Sequence, residues 1–381
     1  MLILAYMSFY KPDKNVVMKK LFLILGILIA QCTINMAQVP TLLPDYPITK
    51  GVSAPFAGFI KNWLIVGGGC NFPTIPAAEG GKKAYYNQCY ALDIHAASPR
   101  WTRISDLPCS VAYGCSVKTP QGLVCIGGMN ADSGLTSVFR IQKDPSSESF
   151  QIHQLPSLPE TIDNASATML NECIYITGGN QQLRQNALYK LDLQTCDRWQ
   201  KLSSFPGPQR VQPILVNDGK KLYLIGGFQA PSDSSASILS HDILCYTPQT
   251  DKWEYDSHIP YQGNKEKRCM AGGSGIQTDT QLILTGGVNY RIFKNALDGK
   301  AGKDYLTHAP SWYKFNDDIL FYDFTHKTWT TKVNISGMAR AGGILLYREG
   351  CLYMICGEIK PGIRTCLLYT SDAADDLTRV D

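Results

Sequence analysis

The chain has 381 residues, enough for one large domain or two ordinary ones, and 36 lysines and arginines against 32 aspartates and glutamates leave a formal charge of only +4. So small an excess excludes a nucleic-acid polyanion as the expected partner. With 33 glycines and 20 tyrosines spread along it, the composition is that of a soluble all-β protein, whose many short strands need tight turns and half-buried aromatic faces.

At the N-terminus Lys19-Lys20 precede the apolar run Leu21 to Ala30, and Met36-Ala37-Gln38 offers a cleavage point, the pattern of a secretory signal. The run is too short to span a bilayer comfortably, so export to the periplasm without stable membrane insertion is expected. Met18 starts that signal better than Met1, which makes residues 1–17 an over-extended beginning and leaves residues 38–365 as the folded domain. Cys125, Cys173, Cys245, Cys351 and Cys356 fall in or beside predicted strands, where a thiol acts as a small hydrophobe and not as part of a disulfide framework. No Cys-x-x-Cys pair suggests a zinc site.

From Leu64 onward one strand pattern recurs. Leu64-Ile65-Val66-Gly67-Gly68, Val124-Cys125-Ile126-Gly127-Gly128 and Tyr175-Ile176-Thr177-Gly178-Gly179 are followed by Leu224-Ile225-Gly226-Gly227, Leu284-Thr285-Gly286-Gly287 and Met354-Ile355-Cys356-Gly357. The repeats lie roughly 50–70 residues apart, a period that suits a four-stranded unit with variable loops. After each pair comes a strand with an aromatic or acidic residue, then a tryptophan opening another strand: Tyr90 to Asp93 with Trp101, Tyr189 to Asp192 with Trp199, Tyr246 with Trp253, and Phe321 to Asp323 with Trp329. Phe150 takes the tryptophan's place in the second unit, and most units close on a proline step such as Leu107-Pro108 or Leu158-Pro159. Proline there ends a ladder without leaving a buried amide unpaired.

This pattern resembles the kelch repeat over about residues 50–357. A four-stranded sheet cannot bury both faces alone, so the units are expected to stack into a closed ring, a six-bladed β-propeller. The last blade is expected to be incomplete. Cys366 to Asp381 has no glycine pair, spaced tryptophan or clean alternation; it resembles translated sequencing adapter and is expected to lie outside the fold. Val39 to Leu43 is placed to supply an outer strand of that blade.

In such a ring the loops leaving the glycine pairs converge at one end of the channel. Asn71, Asn130, Asn180 and Asn289 follow four of the pairs and would form a polar ring for a hydroxyl-rich ligand, although asparagine also simply tolerates left-handed turns. Arg210, Arg268 and Arg340 precede the apolar stretches of three units; they would serve as rim residues or as a positive mouth for an anion. In the sixth unit Glu358-Ile359-Lys360-Pro361-Gly362-Ile363-Arg364 follows at once, and the Pro-Gly turn brings Glu358, Lys360 and Arg364 within reach of one ligand. A carboxylate beside two cations stays ionised, partial burial brings it toward the range of a general base, and Arg364 offers a planar fork to a carboxylate.

Gly357 to Thr365 is similar to the GExKPGxRT motif of bacterial N-acetylneuraminate epimerases, or sialic acid mutarotases, which are exported six-bladed kelch propellers. The resemblance implies that Glu358 is the proton acceptor, that Arg364 is a second catalytic residue, that a sugar acid is the small-molecule partner, and that no cofactor is required. A second likeness lies in Gly67-Gly68-Gly69-Cys70-Asn71-Phe72-Pro73 and Gly80-Gly81-Lys82-Lys83-Ala84-Tyr85-Tyr86, a glycine- and lysine-containing loop in the blade after the motif blade. Here that blade comes first and the motif blade last, the order of the cyclically permuted mutarotase branch. Two other classes compete. One is a non-catalytic kelch module binding glycans or protein. The other, a galactose-oxidase-like copper enzyme, needs ligand spacing that the six histidines, His308 among them, do not show.

Overall fold

A computed structural model describes residues 43–372 apart from 148, 264 and 336. The signal expected at Met18–Ala37 and the residues from 373 onward lie outside that range. Six antiparallel sheets of three or four strands follow one another along the described residues. The inner strands are Phe56–Ile60, Cys115–Thr119, Ser166–Leu170, Ile214–Asn217, Gly273–Gln277 and Ile344–Arg348. Each abuts the next, and the sixth returns to the first, which closes a six-bladed propeller around a channel of about 470 Å³. The second strands carry the apolar runs and sit deepest; those of blades two and three, Gly122–Ile126 and Cys173–Thr177, are buried from end to end.

The glycine pairs mark where one blade touches the next. The amide of the last glycine donates across the seam to the following blade: Gly69 to Val111 (2.8 Å), Gly128 to Ile162 (2.9 Å), Gly179 to Arg210 (2.7 Å), Gly287 to Arg340 (2.8 Å) and Gly357 to Val52 (2.9 Å). Just before each inner strand lies a residue in left-handed conformation, namely Ala54, Tyr113, Asn164, Gln212, Gly272 or Gly342, with φ between 51° and 71°. These six form a backbone girdle at one mouth of the channel. Tyr113 donates to the carbonyl of Ala54, Asn164 to Tyr113, Gln212 to Asn164, Gly342 to Gly272 and Ala54 to Gly342, at 2.7 to 3.0 Å.

Blade six has three strands among the described residues, Ile344–Arg348, Cys351–Ile355 and Leu368–Asp372. The last corrects the expectation that everything beyond Thr365 lies outside the fold: Leu368 pairs with Ile355 and Tyr369 with Met354. Leu368 enters a core cluster with Leu43, Tyr46, Val52 and Leu64, and the amide of Tyr46 bonds the carbonyl of Cys366 at 2.9 Å. Leu43 belongs to no strand; Val39 to Leu42 lie outside the described residues. Trp101 Nε1 donates to the carbonyl of Pro44 at 2.9 Å, as Trp199 does to Pro156 (2.8 Å) and Trp253 to Ser203 (2.9 Å). The segment at Pro44 therefore occupies the place of a blade exit, next to blade one.

A Cβ on Gly179 (φ +73°) would lie 2.2 Å from the carbonyl oxygen of Asp163, whereas one on Gly219 (φ +86°) would meet nothing within 4 Å. Gly219→Ala is expected to cost about 1–2 kcal/mol, the left-handed strain alone. Gly179→Ala is expected to cost about 1–3 kcal/mol more through forced backbone displacement, and the difference is read from urea unfolding midpoints of the two variants.

Candidate active site

The girdle fixes the residue beyond the glycines in five of the six blades. Short bridges join Ser53 to Cys70, Ala112 to Met129, Val211 to Phe228 and Ala341 to Glu358, and in blade three Asp163 pairs with Asn180. Glu358 thus lies at the mouth, its amide donating to Ala341 at 2.7 Å and its carbonyl accepting from Ala341 at 3.0 Å. Glu358–Lys360 and Ile363–Arg364 then form a hairpin about the Pro361-Gly362 turn, with a bulge between Glu358 and Lys360.

Across that hairpin Glu358 faces Arg364, with Arg364 Nη2 2.5 Å from Glu358 Oε1. Arg364 is buried, its side chain only 3% exposed against 21% for Glu358, and its guanidinium lies over the ring of Phe72 at 4.8 Å. Its Nε and Nη1 have no protein partner. Burial pushes the Glu358 carboxyl above the usual carboxylate range, opposed by the positive charges of Arg364 and Lys83 and by the Gly362 amide.

Above the girdle a cavity of about 370 Å³ is walled by Tyr113, Gln212, Phe293, Tyr305, Tyr313 and Glu358. One side is helix α1 (Tyr290–Leu297), started by Asn289, whose Oδ1 accepts the amide of Ile292 at 3.0 Å. The rest of the long blade-five loop completes the wall. Lys360 ties that loop to the hairpin by donating to the carbonyls of His308 (2.6 Å) and Leu306 (3.3 Å). Lys360, expected at the ligand, is therefore held by main chain. His308 stacks on Trp312 at 3.9 Å.

The expected asparagine ring is not assembled. Asn71 and Asn130 stand one residue beyond the bridged positions Cys70 and Met129, and alternation along an extended chain turns them elsewhere. Asn71 is buried between the carbonyl of Gly51 (2.7 Å) and the hydroxyl of Tyr86 (2.7 Å). Asn130 caps its own turn by accepting from Asp132 and Ser133, and Asn180 is exposed, donating to Asp163 at 2.8 Å. Asn289 does line the cavity.

Nor do the three arginines form a mouth. Each is at most 5% exposed; Arg210 and Arg340 bolt the end of a second strand to the start of a third, and Arg268 is tied to the start of a third. Arg210 donates to the carbonyl of Gly226 (3.1 Å) and pairs with Asp242 (2.7 Å), Arg340 donates to the carbonyls of Cys356 (2.9 Å) and Leu367 (2.7 Å), and Arg268 pairs with Asp318. An arginine preceding an apolar strand looks the same in sequence whether it faces water or its own blade.

Two residues of the site were not singled out by pattern. Tyr113 sits in the girdle and lines both the channel and the cavity. Lys83, from the long loop of blade one, donates to the Tyr113 hydroxyl at 2.9 Å and contributes positive charge at Glu358. The glycine- and lysine-containing loop was the available signal for Lys83; Tyr113 had none.

Fold and site together define a class, a six-bladed β-propeller with a carboxylate–guanidinium hairpin at the mouth of its channel. A family model described as N-acetylneuraminate epimerase matches residues 155–377, more than half of the chain. The chain belongs to that family. Curated relatives named N-acetylneuraminate epimerase include those of Salmonella typhi, 28% identical over 228 residues, and Salmonella arizonae, 29% identical over 230 residues, each alignment covering 56% of this chain and 57% of the relative. That of Yersinia enterocolitica is 28% identical over 229 residues, 56% of either chain. The chain thus matches little more than half the length of these relatives. A solved structure titled "Structure of YjhT" superposes with a TM-score of 0.59 at 18% identity, covering 86% of this chain and 96% of that one, a likeness of fold.

Because the folded carboxyl of Glu358 titrates above its unfolded value, its contribution to stability is fully present in acid and lost as pH rises through the folded pKa. The stability of Glu358→Gln relative to wild type is therefore expected to rise as pH increases above the usual carboxylate range, followed by thermal unfolding at each pH. Arg364→Met is expected to move the carboxyl's titration further upward, followed by the carbon-13 shift of labelled Glu358.

Proposed function

We propose that this chain interconverts the α and β anomers of N-acetylneuraminate, with Glu358 as the base. The observation that carries this is the placement of Glu358: a half-buried carboxyl of raised basicity on the wall of a 370 Å³ cavity, backed by a buried arginine. The volume suits a small ligand, and largely apolar and aromatic walls with few polar groups are typical of such sites. Glu358 takes the proton of the anomeric hydroxyl, the bond from the anomeric carbon to the ring oxygen breaks, and the open keto acid recloses on the other face after rotation.

Arg364 serves the carboxylate more than the sugar. Its forked side chain meets Glu358 across the hairpin, holds it in one orientation and favours its ionised form. Lys83 and Arg364 together place two positive charges behind the wall, complementary to an anionic sugar acid. The reaction so written moves protons, breaks and re-forms one carbon–oxygen bond, oxidises and reduces nothing, and calls for no cofactor. An exported, periplasmic setting is supported by Lys19-Lys20 and the apolar run that follows them.

Anomer exchange is measured by NMR on freshly dissolved single anomer, against the spontaneous rate. Wild type is expected to accelerate it, and Glu358→Gln to lose about 10²–10⁴-fold of the acceleration while keeping its fold. A Glu358→Gln protein with full activity overturns the assignment of the base, and a folded wild type without acceleration overturns the activity.

A further inference from the structure

Ring opening also needs a proton donor, because the electron pair released from the anomeric carbon ends on the ring oxygen. Of the groups on the cavity wall, Tyr113 has the arrangement a donor requires. Lys83 Nζ donates to its hydroxyl oxygen at 2.9 Å and the Cys70 sulfur lies 3.4 Å from it, so the ammonium sits on the oxygen that becomes the phenolate once the proton leaves. Tyr113 lines the same cavity as Glu358 and lies close enough to feel its charge. Burial and the neighbouring Cys70 and Glu358 push the phenol well above its ordinary range, so the proton is in place at neutral pH.

Resting on the reaction proposed above, we infer that Tyr113 is the general acid that complements Glu358, with Lys83 as the residue that positions and charges it. In the opening step Glu358 takes the proton of the anomeric hydroxyl, that oxygen becomes the carbonyl, the bond to the ring oxygen breaks, and Tyr113 gives its proton to the ring oxygen. The phenolate left behind is stabilised by the Lys83 ammonium. After rotation the freed hydroxyl attacks the other face of the carbonyl and returns its proton to Tyr113, while Glu358 returns its proton to the carbonyl oxygen. Both groups finish as they began, and nothing is oxidised or reduced.

The backbone explains why this tyrosine can be held so closely. Tyr113 is a girdle residue with φ +61°, locked by its amide to Ala54 and its carbonyl to Asn164. Cys70 is fixed by its bridge to Ser53, and Lys83 immediately precedes Ala84–Tyr85, which pairs with Cys70–Asn71. Donor, lysine and thiol are therefore set by three main-chain contacts, not by mobile side chains alone.

The test uses the full chain and four proteins in the same NMR exchange assay across pH. Wild type and Glu358→Gln decide the underlying reaction: acceleration by wild type that Glu358→Gln loses establishes it. Given that, Tyr113→Phe, which keeps shape and backbone, is expected to lower kcat about 10²-fold or more and to abolish the alkaline limb of the pH profile. Lys83→Gln is expected to lower kcat less and to move that limb to higher pH, because the phenolate loses its counter-charge. A Tyr113→Phe protein with wild-type kcat and an unchanged alkaline limb, beside an inactive Glu358→Gln, overturns the donor while leaving the base intact. An unmoved limb in Lys83→Gln overturns the lysine's part.

Discussion

The backbone girdle at the channel mouth is the constraint from which the remaining geometry follows. Four of its members, Ala54, Tyr113, Asn164 and Gln212, are not glycine, and left-handed geometry costs each about 1–2 kcal/mol. The peptide bonds that join them contribute about 0.5–1.5 kcal/mol apiece, so the girdle hardly stabilises the ring on balance. Its effect is register. Five of the six members place a predecessor to bridge the residue beyond the glycines, and through Ala341 that chain of contacts ends on Glu358. The strain concentrates at the mouth, beside the cavity, where backbone strain in proteins commonly accompanies function. Between blades four and five neither the Gln212–Gly272 girdle bond nor a bond from Gly227 is made; that seam is closed by Ile214, Ile259, Met270 and Leu284.

The electrostatics of the site are a contest that burial wins. At an effective dielectric constant of about 20, a guanidinium 4 Å from a carboxylate favours ionisation by about 4 kcal/mol, and desolvation of a buried ion costs several. With Arg364 in contact and Lys83 nearby, the Glu358 carboxyl still lies above its ordinary range. Arg364 therefore does not create the basicity; its charge draws a carboxyl that burial has made more basic back toward the ionised form. The raised carboxyl and the raised phenol of Tyr113 stand on one cavity with opposite tasks, one to accept and one to donate.

Much of the fold was legible because propeller blades depend on local signals. The glycine pairs are required where a Cβ would strike neighbouring main chain, and the tryptophans bind the exit of the preceding blade, so both recur in sequence. The Glu358–Arg364 hairpin was legible for the same reason: a Pro-Gly turn folds six residues back on themselves. What failed was whatever depends on register or on distant partners. Asn71 and Asn130 follow their glycines in sequence much as Glu358 does, but the third glycine of blade one and the bridge at Met129 shift them by one residue, enough to reverse a side chain. Arg210, Arg268 and Arg340 carry no local mark that distinguishes a buried bolt from a rim cation. Leu368–Asp372 shows no alternation because its pairing with Cys351–Ile355 is imposed by tertiary context.

Ring closure also joins chemistry that sequence separates. Glu358 and Arg364 come from blade six, Lys83 from the loop of blade one, and Tyr113 from the entry to blade two. The span matched by the epimerase family model, residues 155–377, holds the first pair and not the second. In an open array those residues would lie at opposite ends. In the closed ring they meet, because Gly357 donates to Val52 and Ala54 to Gly342 across the seam between blades six and one. That seam is therefore part of the site: loosening it would separate the base from the proposed acid before it disturbed either side chain, and the two backbone bonds that close the propeller also set the distance over which the protons must move.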